Sequence, residues 1–286
     1  MVQSERIIHP SVLTGRFVSL LVDDLDRELE QAIKNRDTHV HRIRVDIKKL
    51  RAWIRLVQDS PCSLDLKKTD LYLKNTAKIF SYHRDAEIIP ETVSWLKKKL
   101  EKSETGDDLD KISRHIKYKK TSLILPDEQS EVINKKLFSE LKQKSIKVNI
   151  EYIIEHGLKA TYKKALREGK KAYSSQGSLN DLHRFRKWVK YLCYQIEFIQ
   201  ASYPDYYQDE QKLLDKLGKQ LGRIHDLDIL CRKVNEVKEK KALYVEAYNA
   251  IGLIKKHMKK IHKRTHALFD KAFHCSPRKF SEKRTS

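Results

Sequence analysis

Residues 41–56 read HRIRVDIKKLRAWIRL, and residues 183–198 read HRFRKWVKYLCYQIEF. The two stretches agree at His, Arg, Arg, Lys, Leu and Ile, all in register at an offset of 142 positions. A second pair accompanies them: RDAEI at residues 84–88 and HDLDI at 225–229, at an offset of 141. Two matched pairs at nearly one spacing indicate an internal duplication, with the halves meeting near residues 126–145.

Around these motifs the apolar residues recur every three or four positions, and eight Gly and six Pro are few for 286 residues. That pattern predicts helices throughout. The expected helices run over residues 12–35, 39–58, 66–83, from near Asp85, and 108–120. In the second half they run over 145–174, 180–201, 206–223, from near Asp226, and 236–272. The first carries Leu13, Phe17, Leu20, Leu21, Leu25, Leu29 and Ile33 on its apolar side. Thr38 is the expected cap of the first motif helix, and Asn180 or Asp181 that of the second. Pro61 and Pro204 stand just past their ends. Residues 121–131 read as a linker. The tail, SPRKFSEKRTS at 276–286, reads as disordered.

On a helical wheel of about 100° per residue, Ile43, Ile47, Leu50, Ile54 and Val57 share one face, the expected core side. His41, Arg44, Lys48, Arg51 and Arg55 fall within about 80° of one another on an adjacent face. The second copy repeats the arrangement. Phe185, Val189, Leu192, Ile196 and Ile199 form its apolar face, with His183, Arg186 and Lys190 on the polar one and Lys187 beside them. Cys193 and Glu197 replace the basic residues at the far end. Cations three and four apart on one helix repel by a few tenths of a kcal/mol per pair. A polyanion laid on the stripe would relieve that, with Arg supplying planar forks for phosphate oxygens and Lys a point charge. Two further strips are candidate contacts: Lys159, Lys163, Arg167 and Lys170, and Lys212, Lys216, Lys219 and Arg223.

The charge balance points the same way. Sixty Lys and Arg against thirty-nine Asp and Glu leave +21, a self-repelling excess that calls for an anionic partner. Four scattered cysteines without a C-x-x-C pair suggest neither zinc nor a disulfide framework. No apolar run approaches the ~20 residues of a membrane span, and the polar start is unlike a signal peptide, so the expected location is the cytoplasm. His262, His266 and Asp270 share helical spacing, but Lys259, Lys260, Lys263 and Arg264 surround them and oppose a metal cation. Asp85, Glu87, Asp226 and Asp228 have the composition of paired catalytic carboxylates, but Asp85 and Asp226 read instead as helix caps or holders of basic side chains. There is no P-loop, nucleophile motif or H-E-x-x-H. The expectation is therefore a binding protein, not an enzyme, without cofactor or metal.

The ordered set of motifs resembles the CHAD family. THVHRIRVDIKKLRAWIRL is similar to its first signature and LNDLHRFRKWVKYLCYQIEF to its second. RDAEI and HDLDI resemble the short element after the third helix, and GLKATYKKALREGKKAY the helix before the second signature. The resemblance covers residues 12–272 and implies an all-α fold of two pseudo-symmetric four-helix bundles. In this reading the first half spans about 12–125 and the second about 132–272. It further implies that basic residues of the signature helices line a surface that binds inorganic polyphosphate, with polyphosphate granules as a candidate association. Carried onto this chain, these are His41, Arg44, Lys48, Arg51, His183, Arg186, Lys187 and Lys190. Arg55, Lys163, Arg167, Lys219 and Arg223 complete the candidate set from the neighbouring strips. The Glu-x-Glu-x-Lys strand of the triphosphatase domain carried by some members has no counterpart, so the chain resembles a standalone member. The alternative partner is nucleic acid on the same basic faces, with Tyr191 and Tyr194 available to stack on bases. Oligomeric state stays open.

Overall fold

The computed structural model describes residues 10–34, 40–60, 65–99, 105–116, 149–239 and 243–283. Every regular element among them is helical, as the periodicity requires. These are α1 Pro10–Lys34, α2 Val40–Val57, α3 Leu66–Ile79, α4 Ser81–Lys97, α5 Thr105–His115, α6 Ile150–Ile153, a π-helical turn Ile154–Leu158, α7 Lys159–Ala172, α8 Leu179–Gln200, α9 Gln208–Glu239, α10 Tyr244–Ala272 and α11 Pro277–Glu282. Thr38 and the linker at 121–131 lie outside the described residues.

The helices group into two compact units. The first holds α1–α3, α6–α8, the start of α9 and α11; the second holds α4, α5, α9 from Lys216 onward, and α10. Each unit takes helices from both halves of the sequence, so compactness divides the chain differently from the repeat.

In the first unit α2 is central, packing on α1, α3, α8 and the π-helical turn, while α8 also packs on α7. The expected apolar faces of both motif helices are buried: Ile43, Ile47, Leu50, Ile54 and Val57 on α2, and Phe185, Val189, Leu192, Ile196 and Ile199 on α8. At about 25 cal/mol per Å² of apolar area removed from water, such stripes supply most of a helix's stabilisation. Close approach of the π-helical turn to α2 is possible only because residue 157 is Gly. A Cβ there would lie 2.0 Å from the Leu56 carbonyl oxygen.

Several expectations are corrected. The second motif helix is capped by Ser178, not Asn180 or Asp181. Ser178 accepts from the Asp181 backbone N–H at 3.2 Å, and the Asp181 carboxylate accepts from the Ser178 N–H at 3.0 Å, a capping box. The break expected near Asp226 is absent: α9 runs through it, because Leu217, Leu221, Ile224, Leu227 and Leu230 carry one buried stripe across the position. Gly222 costs that helix only about 1 kcal/mol. Asp226 is therefore not a cap. In the first half the break falls at Phe80, ahead of Asp85. Leu20, expected in the core, is 56 % exposed.

The tail is also ordered through Lys283. Ser276 caps α11 and Pro277 opens it. Phe280, 1 % exposed, stacks on Tyr162 at 4.0 Å and on Tyr207 at 5.2 Å between centroids. The Tyr207 hydroxyl donates to the Ser281 carbonyl at 3.3 Å, and Lys283 pairs with Glu210. A basic composition hid one aromatic anchor and a Ser-Pro cap. Tyr207 pays for the slot with a left-handed backbone, φ 58°. We expect Phe280→Ala to lower stability by roughly 3–5 kcal/mol, read as a fall in the urea midpoint. A disordered tail would leave the midpoint unchanged.

Candidate polyanion-binding surface

Within the first unit the two motif helices lie side by side. Gln195, fully buried, donates its side-chain N–H to the Ala52 carbonyl at 3.0 Å. Ala52, Tyr191 and Tyr194 form a buried cluster with Trp188 at its margin. Positions 52 and 194 are equivalent at the offset of the repeat, and they meet at this seam. The flanking contacts are reciprocal as well. Arg55 lies over the Tyr191 ring at 4.5 Å, while their equivalents, Glu197 and Lys49, pair at 3.2 Å. A two-fold exchange of α2 and α8 requires this pattern.

The seam brings cations together over aromatic rings. Arg55 and Lys187 share Tyr191, the latter at 5.8 Å. Lys49 and Lys190 share Tyr194, at 5.8 and 5.9 Å. Lys164 and Lys187 share Trp188, at 5.6 and 5.8 Å. Each cation–ring contact is worth about 0.5–1 kcal/mol, enough to offset the few tenths of repulsion per cation pair. Burial pushes the Tyr191 hydroxyl upward in pKa and that of Tyr194 up to about 12. Both therefore remain neutral rings rather than phenolates.

One carboxylate enters this group from α3. Asp70 accepts from Arg51 Nε at 2.8 Å and Nη2 at 3.4 Å, and from Arg55 Nη1 and Nη2, each at 2.9 Å. Burial alone would raise the Asp70 pKa, but the hydrogen bonds from the two guanidinium groups hold it at about 2. Burial opposes the charge on Arg51 too, but the hydrogen bond and charge of Asp70 together with Tyr191 outweigh it. Lys187 is exposed along its stem, but neighbouring side chains partly shield its ammonium from water, and this first, then Arg55 and Arg51, pushes its pKa downward, with Lys74 adding to the repulsion. Two arginines thus converge on one carboxylate, with Lys187 near enough to feel their charge.

Arg51 and Arg55 therefore have an acidic partner although none stands three or four positions from them on α2. Their partner lies on another helix, beyond the reach of spacing arguments. His41 is exposed on α2 and His183 half-buried on α8. Arg44 donates to the Ala77 carbonyl at 3.3 Å. Lys48 and Arg186 are half-buried on α2 and α8, and Lys187 is exposed. Lys163 and Arg167 are exposed on α7, the latter 3.5 Å from Glu168. Lys219 and Arg223 belong to the second unit, where Arg223 lies 4.3 Å from the centroid of Trp95. Tyr191 and Tyr194 are 4 % and 9 % exposed, so the expected stacking platform for bases is closed. Lys49, Lys164 and Asp70 were missed by the sequence reading. For the ring contacts a signal existed: Lys187–Tyr191 and Lys190–Tyr194 are both spaced four apart on one helix. No group of three or more metal-ligating side chains occurs among the described residues. None of their helices is long and apolar enough to cross a membrane.

A family model described as the CHAD domain matches residues 16–234. The crystal structure of the CHAD domain from the plant Ricinus communis is similar in fold. It has a TM-score of 0.63 at 16 % identity, covering 93 % of this chain and 91 % of that one. No curated protein matches the chain.

Asp46 offers a test of the packing behind the surface. Burial raises its pKa from 3.8 to about 6; Lys49 opposes this, Asp24 and Glu28 of α1 add to it, and Arg42 opposes it. The folded value lies above the unfolded one, so between these values the native state binds more protons. Its contribution to stability is lost as pH rises through about 6. We expect Asp46→Asn to raise the urea midpoint at about pH 8 and to lose most of that advantage only at about pH 4, near the unfolded value. An advantage independent of pH would contradict the assignment.

Proposed function

The chain belongs to the CHAD domain family, and from that membership we propose that it binds inorganic polyphosphate along the basic faces of α2 and α8. The observation that carries the reading is the convergence of cations from both motif helices on shared aromatic rings. A phosphate chain is a repeating anion without bases. It asks for a row of point charges and planar forks, not for a stacking platform. His41, Arg44, Lys48, His183, Arg186, Lys187 and Lys190 form the core of the proposed surface. Lys49 and Lys164 extend it. Arg55, held by Asp70 and Tyr191, is assigned to joining α2, α3 and α8. The role is binding rather than catalysis, in the cytoplasm and at polyphosphate granules.

Binding should weaken steeply as salt rises, because each phosphate contact releases a counterion. Replacing Arg44, Lys48, Arg186 and Lys190 together by Gln should weaken binding by roughly a hundredfold or more, since a charge-assisted contact contributes about 1.5–3 kcal/mol. A control replaces Lys255, Lys259, Lys263 and Lys279, four exposed cations, and removes the same net charge. It should lose less than about threefold if affinity rests on charge-assisted contacts of particular side chains rather than on net charge. Calorimetry with matched helicity reads both. Equal losses would mean that affinity follows bulk charge, and the proposed surface would be wrong.

A further inference from the structure

The second unit carries a groove that the motif helices do not enter. From α9 it takes Lys216 and Gln220, and from α10 it takes Arg264, Ala267, Leu268 and Lys271. The α10 residues recur three and four apart, so they share one helix face, and the α9 pair lies one turn apart. The groove encloses about 370 Å³. Its floor is apolar, with Ala267 exposed and Leu268 half-buried between the cations. Among the described residues, no carboxylate lines it.

Each feature narrows the ligand. Three cations from two helices ask for an anion of more than one charge, and the Arg264 guanidinium suits phosphate oxygens. Inorganic phosphate and phosphate chains gain nothing from an apolar floor, whereas a ligand with an apolar face does. Gln220 presents a donor and an acceptor on one amide, the pair that reads an adenine edge through two hydrogen bonds. The volume lies at the small end of ligand pockets, roughly 300–1,000 Å³, which suits a mononucleotide rather than a polymer. We propose that the groove between α9 and α10 binds an adenine nucleotide. The base lies on Ala267 and Leu268 with its edge to Gln220, and the phosphates meet Lys216, Arg264 and Lys271. All six residues belong to the second unit and the motif helices to the first, so the proposal goes beyond the polyphosphate reading and does not rest on it.

Calorimetry of the full chain with ADP and GDP tests the site. Wild type should prefer ADP by about tenfold or more, the usual worth of a bidentate base contact. Gln220→Leu should erase that preference. Ala267→Arg fills the groove while adding a positive charge, and should weaken ADP binding by about tenfold or more. It should leave binding of long-chain polyphosphate unchanged. The variant with Arg44, Lys48, Arg186 and Lys190 replaced by Gln should bind ADP as wild type does. Ala267 is exposed and Gln220 half-buried, and matched helicity verifies that both variants fold. No binding of ADP, equal binding of ADP and GDP, or a preference that survives Gln220→Leu would overturn the proposal. So would tighter ADP binding in Ala267→Arg, which would mean that bulk charge governs. Loss of ADP binding in the fourfold Gln variant would place the nucleotide on the motif helices and overturn it as well.

Discussion

The seam where Ala52 and Tyr194 meet, closed by the Gln195–Ala52 hydrogen bond, is the contact on which the rest of the surface depends. It sets α2 against α8 with both apolar faces turned into one core. Only then do their basic faces become neighbours. Ala at position 52 lets the backbones approach closely enough for a side-chain amide on one helix to reach a carbonyl on the other. Arg55–Tyr191 and Lys49–Glu197 flank the seam at equivalent positions of the repeat.

A basic surface of this density has to be held together before it can bind anything. The aromatic rings do so without spending net charge. Each takes a cation on its face, and Trp188, Tyr191 and Tyr194 each take two. Asp70 does so by neutralising charge on the Arg51 and Arg55 pair. The two devices differ in consequence: a ring leaves the cation's hydrogen-bond donors available, whereas a carboxylate consumes them. Lys187 and Lys190 thus remain better ligand contacts than Arg55, although all three lie near the same seam.

Much of this was legible in the sequence. The repeat at 41–56 and 183–198 picked out two helices that pack on one another, and their period-3.6 faces identified the buried residues correctly. The errors have separate physical causes. Asp70 lies on α3, so its pairing with Arg51 and Arg55 is a tertiary contact that helical spacing cannot express. Tyr191 and Tyr194 were read as exposed because they adjoin the basic stripe, but the packing of α8 against α2 consumes that flank. The tail's charge outweighed Phe280 in the reading of composition, although one aromatic in a complementary slot is enough to order a short helix. Continuity of α9 through Asp226 follows from its buried leucines, where a matched motif had suggested a boundary.

The central claim is that this surface recognises a phosphate chain without bases. Direct competition tests it best: long-chain polyphosphate against mixed-sequence single-stranded DNA of equal phosphate number, at physiological salt. With Tyr191 and Tyr194 buried, DNA gains nothing from stacking, and its phosphates are spaced more widely than those of polyphosphate. The account predicts that polyphosphate displaces bound DNA and that DNA at the same concentration does not displace polyphosphate. DNA binding as tightly as polyphosphate, or more tightly, would contradict it.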